Sequence, residues 1–306
     1  MSNAEKSPTA VQSTLIAAMA IWGLNVPVVK VLTGVFEPTM LAALRMLVAC
    51  AALSAIVLWK RCGLPLLTLR QGAAIVVCAV LMVYLNQILF AEGLLRSTAT
   101  NGALIMALSP LVSALLAAVV FGERLTLSRF VGVVLGFAGV AAVVLSHPGA
   151  GLSAAGTGDL MLVAAVVSFA AGGAIIQRLA RRMHALTISW AIYLVGSLLL
   201  ALHAAVEAPA LDANALFPGW RPWAFILFSG VLATAVSNLV WNRAIARIGV
   251  ARTAVFLYWV PVFGVAFAAM LLGEPLTFWH LFGFLAVMGG TYVGTRKSST
   301  AATLSP

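Results

Sequence analysis

The stretch Phe121-Gly122-Glu123-Arg124-Leu125-Thr126 is repeated 151 residues later as Leu272-Gly273-Glu274-Pro275-Leu276-Thr277. The same offset pairs Pro110 with Pro261 and Gly132 with Gly283. A shared Gly-Glu-x-Leu-Thr string with a matched proline and glycine at one spacing indicates that the second half of the chain repeats the first.

The composition points to a lipid environment for both halves. Hydrophobic residues make up 63% of the 306 residues and charged residues only 8%, whereas soluble domains carry about 25% charged residues. Ten apolar segments are long enough to cross a bilayer, which needs about 20 residues each, and lipid leaves helices as the way to pair their backbone groups. We therefore predict an all-α integral membrane protein with spans near residues 13–33, 38–59, 71–91, 98–120, 126–146, 158–178, 186–206, 222–242, 250–272 and 278–295.

The basic residues predict how these spans are oriented. If the N-terminus is cytoplasmic, 14 of the 18 Lys and Arg residues fall on the cytoplasmic side and three on the other, with Arg45 inside a span. Cytoplasmic loops are rich in Lys and Arg, so both termini are predicted to be cytoplasmic. Arg124 and Arg129 are replaced in the second half by Pro275 and His280, as expected if the matched loops lie on opposite sides.

Ten transmembrane helices built as two inverted five-helix repeats satisfy both observations. The predicted organisation is a cytoplasmic tail (1–12), a first repeat (13–146), a connector (147–157), a second repeat (158–295) and a second cytoplasmic tail (296–306).

Several other classes of function find no support in the residues. The net charge of +10 comes from short clusters between apolar runs and not from a basic stripe with interleaved aromatics, which argues against nucleic-acid binding. The chain has no His-Glu-x-x-His, paired intramembrane aspartates or comparable catalytic pair, so we do not expect an enzyme. It has no P-loop and no metal-binding cysteine pattern, and we expect no cofactor and no metal.

Three features resemble a known family. The first span contains Trp22-Gly23-Leu24-Asn25 and is closed by Lys30, the second begins at Pro38 and carries Arg45, and the fourth and ninth have a central proline and end in Gly-Glu. This pattern, over residues 13–295, is similar to the drug/metabolite transporter superfamily and its EamA-type ten-helix exporters, most of all to amino-acid exporters of the YddG type. The resemblance implies a multi-pass transporter of a bacterial inner membrane.

Inverted repeats are typical of secondary transporters that work by alternating access. The resulting hypothesis is an exporter of small metabolites, above all amino acids, including aromatic or apolar ones. Exporters of lipophilic drugs or other metabolites stay open as an alternative, and a nucleotide-sugar or phosphate-ester exchanger is less favoured because it would need several intramembrane cations. We expect a small-molecule substrate and the lipid bilayer as partners, and a monomer in preference to a dimer.

Polar side chains are costly in a lipid-solvated helix unless they face the protein interior or a cavity. Amides and phenols can bind a zwitterion without imposing a net charge, and aromatic faces can stack on a ring or hold a cation. Each residue has an alternative role in joining helices or anchoring them at the interface. The candidate substrate-binding residues are Trp22, Asn25, Tyr84, Gln87, Asn101, Phe169, Tyr193, Asn238, Trp241 and Tyr258.

Two further groups of residues are predicted to shape the helices. Pro110 and Pro261 each remove a helix hydrogen bond, so they are candidate hinges or gates. Arg45 is expected to bond a structural partner, either a carboxylate or helix carbonyls, with attraction of an anionic substrate group as the alternative. Glu123 and Glu274 are expected to cap helices or to tie helices together. Glu92 and Asp159 lie close to span ends and are expected to be exposed to water.

Overall fold

The computed structural model describes residues 8–61, 67–106, 108–121, 127–145, 154–207, 219–248, 253 and 255–295. All regular secondary structure in these ranges is helical, and a helix lies at each of the ten apolar segments. Six of the helices among the described residues are long and apolar enough to cross a membrane, and shorter apolar helices lie at 99–113, 259–272 and 278–290. The prediction of an all-helical membrane protein is confirmed, and the number and direction of the crossings stay predictions.

Six of the helices lie in the first half or at the start of the second, and each is continuous or has one short break. They are α1 (Pro8–Leu32), α2 (Pro38–Trp59), α4 (Ala99–Met106 and Ser109–Phe121), α5 (Leu127–Leu145), α6 (Ala154–Leu179) and α7 (Ala185–Glu207). The remaining helices are α3 (Leu69–Ala79, Val80–Leu85, Asn86–Arg96), α8 (Trp220–Leu227, Phe228–Val236, Ser237–Ile248), α9 (Val255–Tyr258, Trp259–Leu272) and α10 (Phe278–Thr295).

The third helix of each half is widened in its middle. Val80–Leu85 in α3 and Phe228–Val236 in α8 are π-helical, with backbone bonds to the fifth residue along in place of the fourth. Such turns are rare and frequently mark functional sites. Their recurrence at corresponding places strengthens the relation between the halves that the sequence repeat predicts.

The fourth helix of each half is irregular just before its proline. In α4 one helical segment ends at Met106 and the next begins at Ser109, whose hydroxyl donates to the Met106 carbonyl over 2.6 Å. In α9 a 3-10 turn, Val255–Tyr258, precedes the α-helix that contains Pro261. A proline ring clashes with the carbonyl four residues back, and these irregularities lie where that clash is expected for Pro110 and Pro261.

Glycines let several helices approach closely. A Cβ on Gly23 of α1 would lie 2.6 Å from the Phe263 Cβ and 2.9 Å from the Gly264 backbone nitrogen of α9. A Cβ on Gly290 of α10 would lie 2.7 Å from backbone atoms of Gly132 and Gly136 in α5. The Gly132-x-x-x-Gly136 pattern is therefore used for packing within the chain, as small residues are in membrane bundles.

Candidate functional site

A cavity lies between the two halves of the bundle. Its volume is about 770 Å³ when the open space at its mouth is included. Helices of both halves contribute to its wall, and the π-helical segments of α3 and α8 lie on it. The lining residues are Trp22, Asn25, Arg45, Met82, Asn86, Gln87, Phe90, Met106, Ser109, Leu162, Ala165, Val166, Phe169, Tyr193, Ala233, Thr234, Asn238 and Leu257.

One side of the cavity is aromatic. The rings of Trp22 and Phe169 meet edge to face with centroids 6.0 Å apart, and both contact the ring of Trp241 at 5.5 and 6.1 Å. The Trp22 indole donates to the Ala233 carbonyl over 2.7 Å, which fixes the ring against α8. Trp22 and Phe169 face the cavity while Trp241 supports them from behind, so the three rings form a rigid apolar wall.

The cavity also has a polar region, formed by side chains that hydrogen-bond one another. These side chains, here called the central network, are Asn25, Arg45, Asn86, Gln87 and Ser229. Arg45 donates through Nε to Ser229 Oγ over 2.5 Å and through Nη1 to Gln87 Oε1 over 3.2 Å. The Ser229 hydroxyl donates onward to Asn25 Oδ1 over 2.5 Å. Gln87 donates to Asn86 Oδ1, and Asn86 donates to the Ala165 carbonyl, each over 2.9 Å.

Arg45 is the charged member of the central network. It is 2% exposed and lines the cavity. Its partners are a hydroxyl and an amide, where the sequence predicted a carboxylate or helix carbonyls. The guanidinium therefore has a structural attachment and still presents a positive charge to the cavity.

Asn238 adds an unpaired acceptor to the wall. Its amide nitrogen donates to the Thr234 carbonyl over 2.9 Å, a bond within α8. Its Oδ1 is buried and bonds none of the described residues. An unpartnered acceptor beside a cavity is suited to a ligand that brings an N–H or O–H donor.

A second polar group, here called the end cluster, lies where α1 and α3 end and α4 and α6 begin: Lys30, Ser97, Asn101, Asp159 and Glu274. Lys30 Nζ donates to the carbonyls of Leu94 over 2.7 Å and Ser97 over 2.6 Å, at the end of α3. Glu274 accepts from the backbone N–H groups of Ala99 and Thr100 at 3.0 and 2.9 Å. A carboxylate capping a helix N-terminus in this way is stabilising.

Asp159 completes the end cluster and joins α6 to α4. It accepts from the Ser97 hydroxyl and, at 3.3–3.4 Å, from the Asn101 amide. Asp159 is 2% exposed, so the expectation of a wetted acid is wrong for this residue. α6 also packs tightly on α3 here, because a Cβ on Gly158 would lie 2.9 Å from the Gly93 carbonyl oxygen.

The structure divides the predicted substrate-binding residues into two groups. Trp22, Asn25, Gln87, Phe169, Tyr193 and Asn238 lie on the cavity wall. Trp241 lies behind it, Asn101 belongs to the end cluster, and the side chain of Tyr258 lies outside the described residues. Tyr84 is also absent from the wall: its hydroxyl is 3.1 Å from His203 Nδ1, and His203 Nε2 is 3.2 Å from Glu207.

The residues predicted to shape the helices have separate places in the structure. Glu274 is a helix cap, Glu123 lies outside the described residues, and the helix irregularities at Pro110 and Pro261 bring Met106, Ser109 and Leu257 to the cavity. Ser229 and Thr234 were not singled out from the sequence, because single hydroxyls in an apolar run give no distinctive signal. Among the described residues, no three of His, Cys, Asp and Glu are grouped so that they could hold a metal ion.

Comparisons with known proteins agree with this architecture. A model of the EamA-like transporter family matches the chain twice, over residues 11–145 and 156–295. The chain is 26% identical over 286 residues to the uncharacterized transporter YetK of Bacillus subtilis, covering 93% of this chain and 86% of YetK. It is 29% identical over 301 residues to a probable amino-acid metabolite efflux pump of Salmonella typhimurium, covering 94% and 96% of the two chains.

A solved crystal structure of a protein shares the fold, with a TM-score of 0.70 at 20% identity over 94% of this chain and 96% of the other. Two matches of one family model, together covering most of the sequence, account for the sequence repeat and for the recurring irregularities of α3 and α8. The chain belongs to the EamA-like transporter family and is a membrane transporter.

Proposed function

We propose that this transporter exports small metabolites, with amino acids as the principal cargo, through the cavity between its two halves. The observation that carries the proposal is the pairing of an aromatic wall with the central network around one cavity. An amino acid has the same division, because its backbone groups are charged while its side chain can be apolar or aromatic. The name of the Salmonella relative, a probable amino-acid metabolite efflux pump, supports the same class of cargo.

The proposed mechanism is alternating access between two inverted five-helix repeats in the inner membrane, with both termini cytoplasmic. The recurring irregularities support it, since transporters of this kind bind cargo at discontinuous helices where two repeats meet. Pro110 and Pro261 would act as hinges in matched helices, one for each side. The described part of the cavity wall contains no Asp, Glu or His, which favours facilitated diffusion or exchange over proton coupling.

Flux from proteoliposomes tests the proposal. Vesicles that contain only this protein are loaded with a mixed pool of amino acids, and efflux is followed by mass spectrometry with and without a pH gradient. We expect selective efflux that is indifferent to the gradient. Efflux that requires the gradient would overturn the facilitative mechanism. If the protein is folded and efflux is no faster than from loaded vesicles without protein, the amino-acid cargo would be overturned.

Two substitutions connect this flux to the cavity. Trp22→Ala and Asn238→Ala are each expected to lower efflux at least about tenfold. The first removes an aromatic face and the second a hydrogen-bond acceptor, and no water replaces either contact for a buried ligand. Trp59→Ala is the matched control, since that tryptophan is 82% exposed and is not among the residues that line the cavity. Equal efflux from all three folded variants would place the pathway elsewhere.

A further inference from the structure

Arg45 is a buried cation that has no carboxylate partner among the described residues. Five of the eight acidic residues are described, and each is engaged elsewhere or exposed: Glu92 pairs with Arg96, Glu207 with His203, Asp159 and Glu274 belong to the end cluster, and Glu37 is on the surface. No described acid lines the cavity. Within the described part of the chain, the charge of Arg45 is therefore not neutralised by the protein.

An isolated charge in a dry site is expensive, because burial removes its hydration without a compensating partner. A guanidinium carries five N–H donors, and Arg45 directs one to Ser229 and one to Gln87. The other donors bond none of the described residues. Arg45 also sits at a fixed position, because the bonds to Ser229 and Gln87 come from α8 and α3 and hold the guanidinium from two sides.

We infer that Arg45 is the carboxylate-binding residue of the cavity, so that the transported class is defined by a carboxylate joined to an apolar body. A planar guanidinium matches a carboxylate with two parallel hydrogen bonds, the strongest pairing that this wall can offer a ligand. The inference rests on the proposed function and narrows it: the carboxylate is required, and the ammonium group of an amino acid is accessory.

The rest of the wall explains why the ammonium group is accessory. The described wall has no acid to pair with a cation, and its acceptors for an ammonium group are neutral oxygens, among them the unpaired Oδ1 of Asn238. A neutral amide oxygen can accept one N–H bond from an ammonium group, yet it does not neutralise the charge. Trp22 and Phe169 then contact the apolar side chain. Amines without a carboxylate would add a second positive charge near Arg45, so they are expected to bind the cavity weakly.

Three compounds that share one phenyl ring test this order of importance. L-Phenylalanine carries both groups, 3-phenylpropionate lacks the ammonium group, and 2-phenylethylamine lacks the carboxylate. Binding is measured on the purified full-length chain by competition with radiolabelled phenylalanine and, independently, by the shift in melting temperature that each compound causes. We expect phenylpropionate to bind within about tenfold of phenylalanine and phenylethylamine to bind at least about 30-fold more weakly, because only the last loses the charged pairing.

Variants of Arg45 give the second measurement. Arg45→Gln is expected to weaken phenylalanine binding about 10- to 100-fold, and Arg45→Lys less, since it keeps a point charge and loses the planar fork. Arg96→Gln is the matched control, because Arg96 is exposed and pairs with Glu92. The comparison of the three compounds on the unaltered protein keeps the inference testable if Arg45→Gln does not fold.

The outcomes separate the inference from the function it rests on. Phenylethylamine binding as well as phenylpropionate, or a folded Arg45→Gln that binds phenylalanine normally, would overturn the role of Arg45 and leave amino-acid transport standing. Binding of phenylpropionate with no amino-acid flux would keep the role of Arg45 and overturn the amino-acid cargo. Failure of all three compounds to bind a folded protein that does export amino acids would overturn the inference alone, and the same failure together with no amino-acid efflux would overturn both.

Discussion

The central network and the end cluster are both polar groups inside an apolar bundle, yet they differ in how their charges are paired. In the end cluster, Asp159 and Glu274 accept several hydrogen bonds each, and Lys30 is bonded to the carbonyls that end α3. In the central network the one charged group, Arg45, has only neutral partners among the described residues. A buried polar group that is fully hydrogen-bonded holds helices together. A buried polar group beside a cavity that lacks hydrogen-bond or charge partners is suited to binding a ligand.

Among substitutions in these two polar groups, the largest loss of transport is expected at Ser229 of the central network. Ser229→Ala removes the hydroxyl that joins Arg45 to Asn25, so the guanidinium loses a support and one acceptor on Asn25 becomes unpaired. We expect transport to fall at least about tenfold, and unfolding to become easier by about 1–3 kcal/mol. Initial rates of amino-acid efflux and thermal denaturation in detergent measure the two effects.

Ser197→Ala is the matched control for Ser229→Ala. Ser197 is equally buried, but its hydroxyl donates to the Leu194 carbonyl of its own helix over 3.1 Å, so its loss leaves no other side chain unpaired. Equal transport by the two folded variants would remove the distinction between the central network and ordinary buried hydroxyls.

In the end cluster the expected loss is of stability and not of selectivity. Asp159→Ala leaves the buried Asn101 amide and the Ser97 hydroxyl without their shared acceptor, which is expected to cost about 2–3 kcal/mol of unfolding free energy. Thermal denaturation measures that cost. The order in which different amino acids leave the vesicles is expected to stay the same, and a changed order would show that the end cluster also selects cargo.

A smaller effect is expected from the helix cap. Glu274→Ala removes the acceptor for the Ala99 and Thr100 N–H groups and the favourable charge at the N-terminus of α4, together about 1–2 kcal/mol. Glu92→Ala is the control, because Glu92 pairs with Arg96 at the surface, and an exposed pair contributes about 0–1 kcal/mol. Equal melting temperatures for the two variants would contradict the capping role.

Much of the fold can be derived from patterns that are visible in the sequence. Long apolar runs can only be helices in lipid, and a proline inside a helix disturbs the turn before it. Trp22, Asn25 and Asn238 could be proposed for the cavity because a polar or amphipathic side chain in the middle of an apolar run needs a polar surrounding. The same reasoning cannot say whether that surrounding is a cavity or another side chain.

Asn101 illustrates this ambiguity. An amide in an apolar run is equally consistent with both surroundings, and its partner, Asp159, is distant in sequence and is recruited by the packing of α4 on α6. Arg45 is the reverse case: it was expected to have a charged or carbonyl partner, and the structure pairs it with neutral side chains at the cavity. In both cases the deciding information is a contact between helices, which a single sequence does not contain.

Tyr84 shows a limit that arises within a single helix. Tyr84 and Gln87 are three residues apart and would share a face in a regular α-helix. Tyr84 lies in the π-helical segment Val80–Leu85, and Gln87 lies just after it. An inserted residue in the turn rotates the next part of the helix by about 100°, so one side chain faces the cavity and the other meets His203. No residue pattern in Val80–Leu85 predicts that π-helical turn.

The smallest effect is therefore expected at Tyr84, and it tests the comparison from the opposite direction. Tyr84→Phe removes only the hydroxyl bonded to His203, at a half-buried place off the cavity wall, so stability should change by less than about 1.5 kcal/mol and efflux should be within about twofold of the unaltered protein. Gln87→Leu, three residues on, removes an acceptor from the Arg45 guanidinium and is expected to lower efflux well beyond that range. If Tyr84→Phe were the more damaging of the two, the π-helical turn would not divide the helix face as described, and the cavity would extend to the side on which Tyr84 and His203 meet.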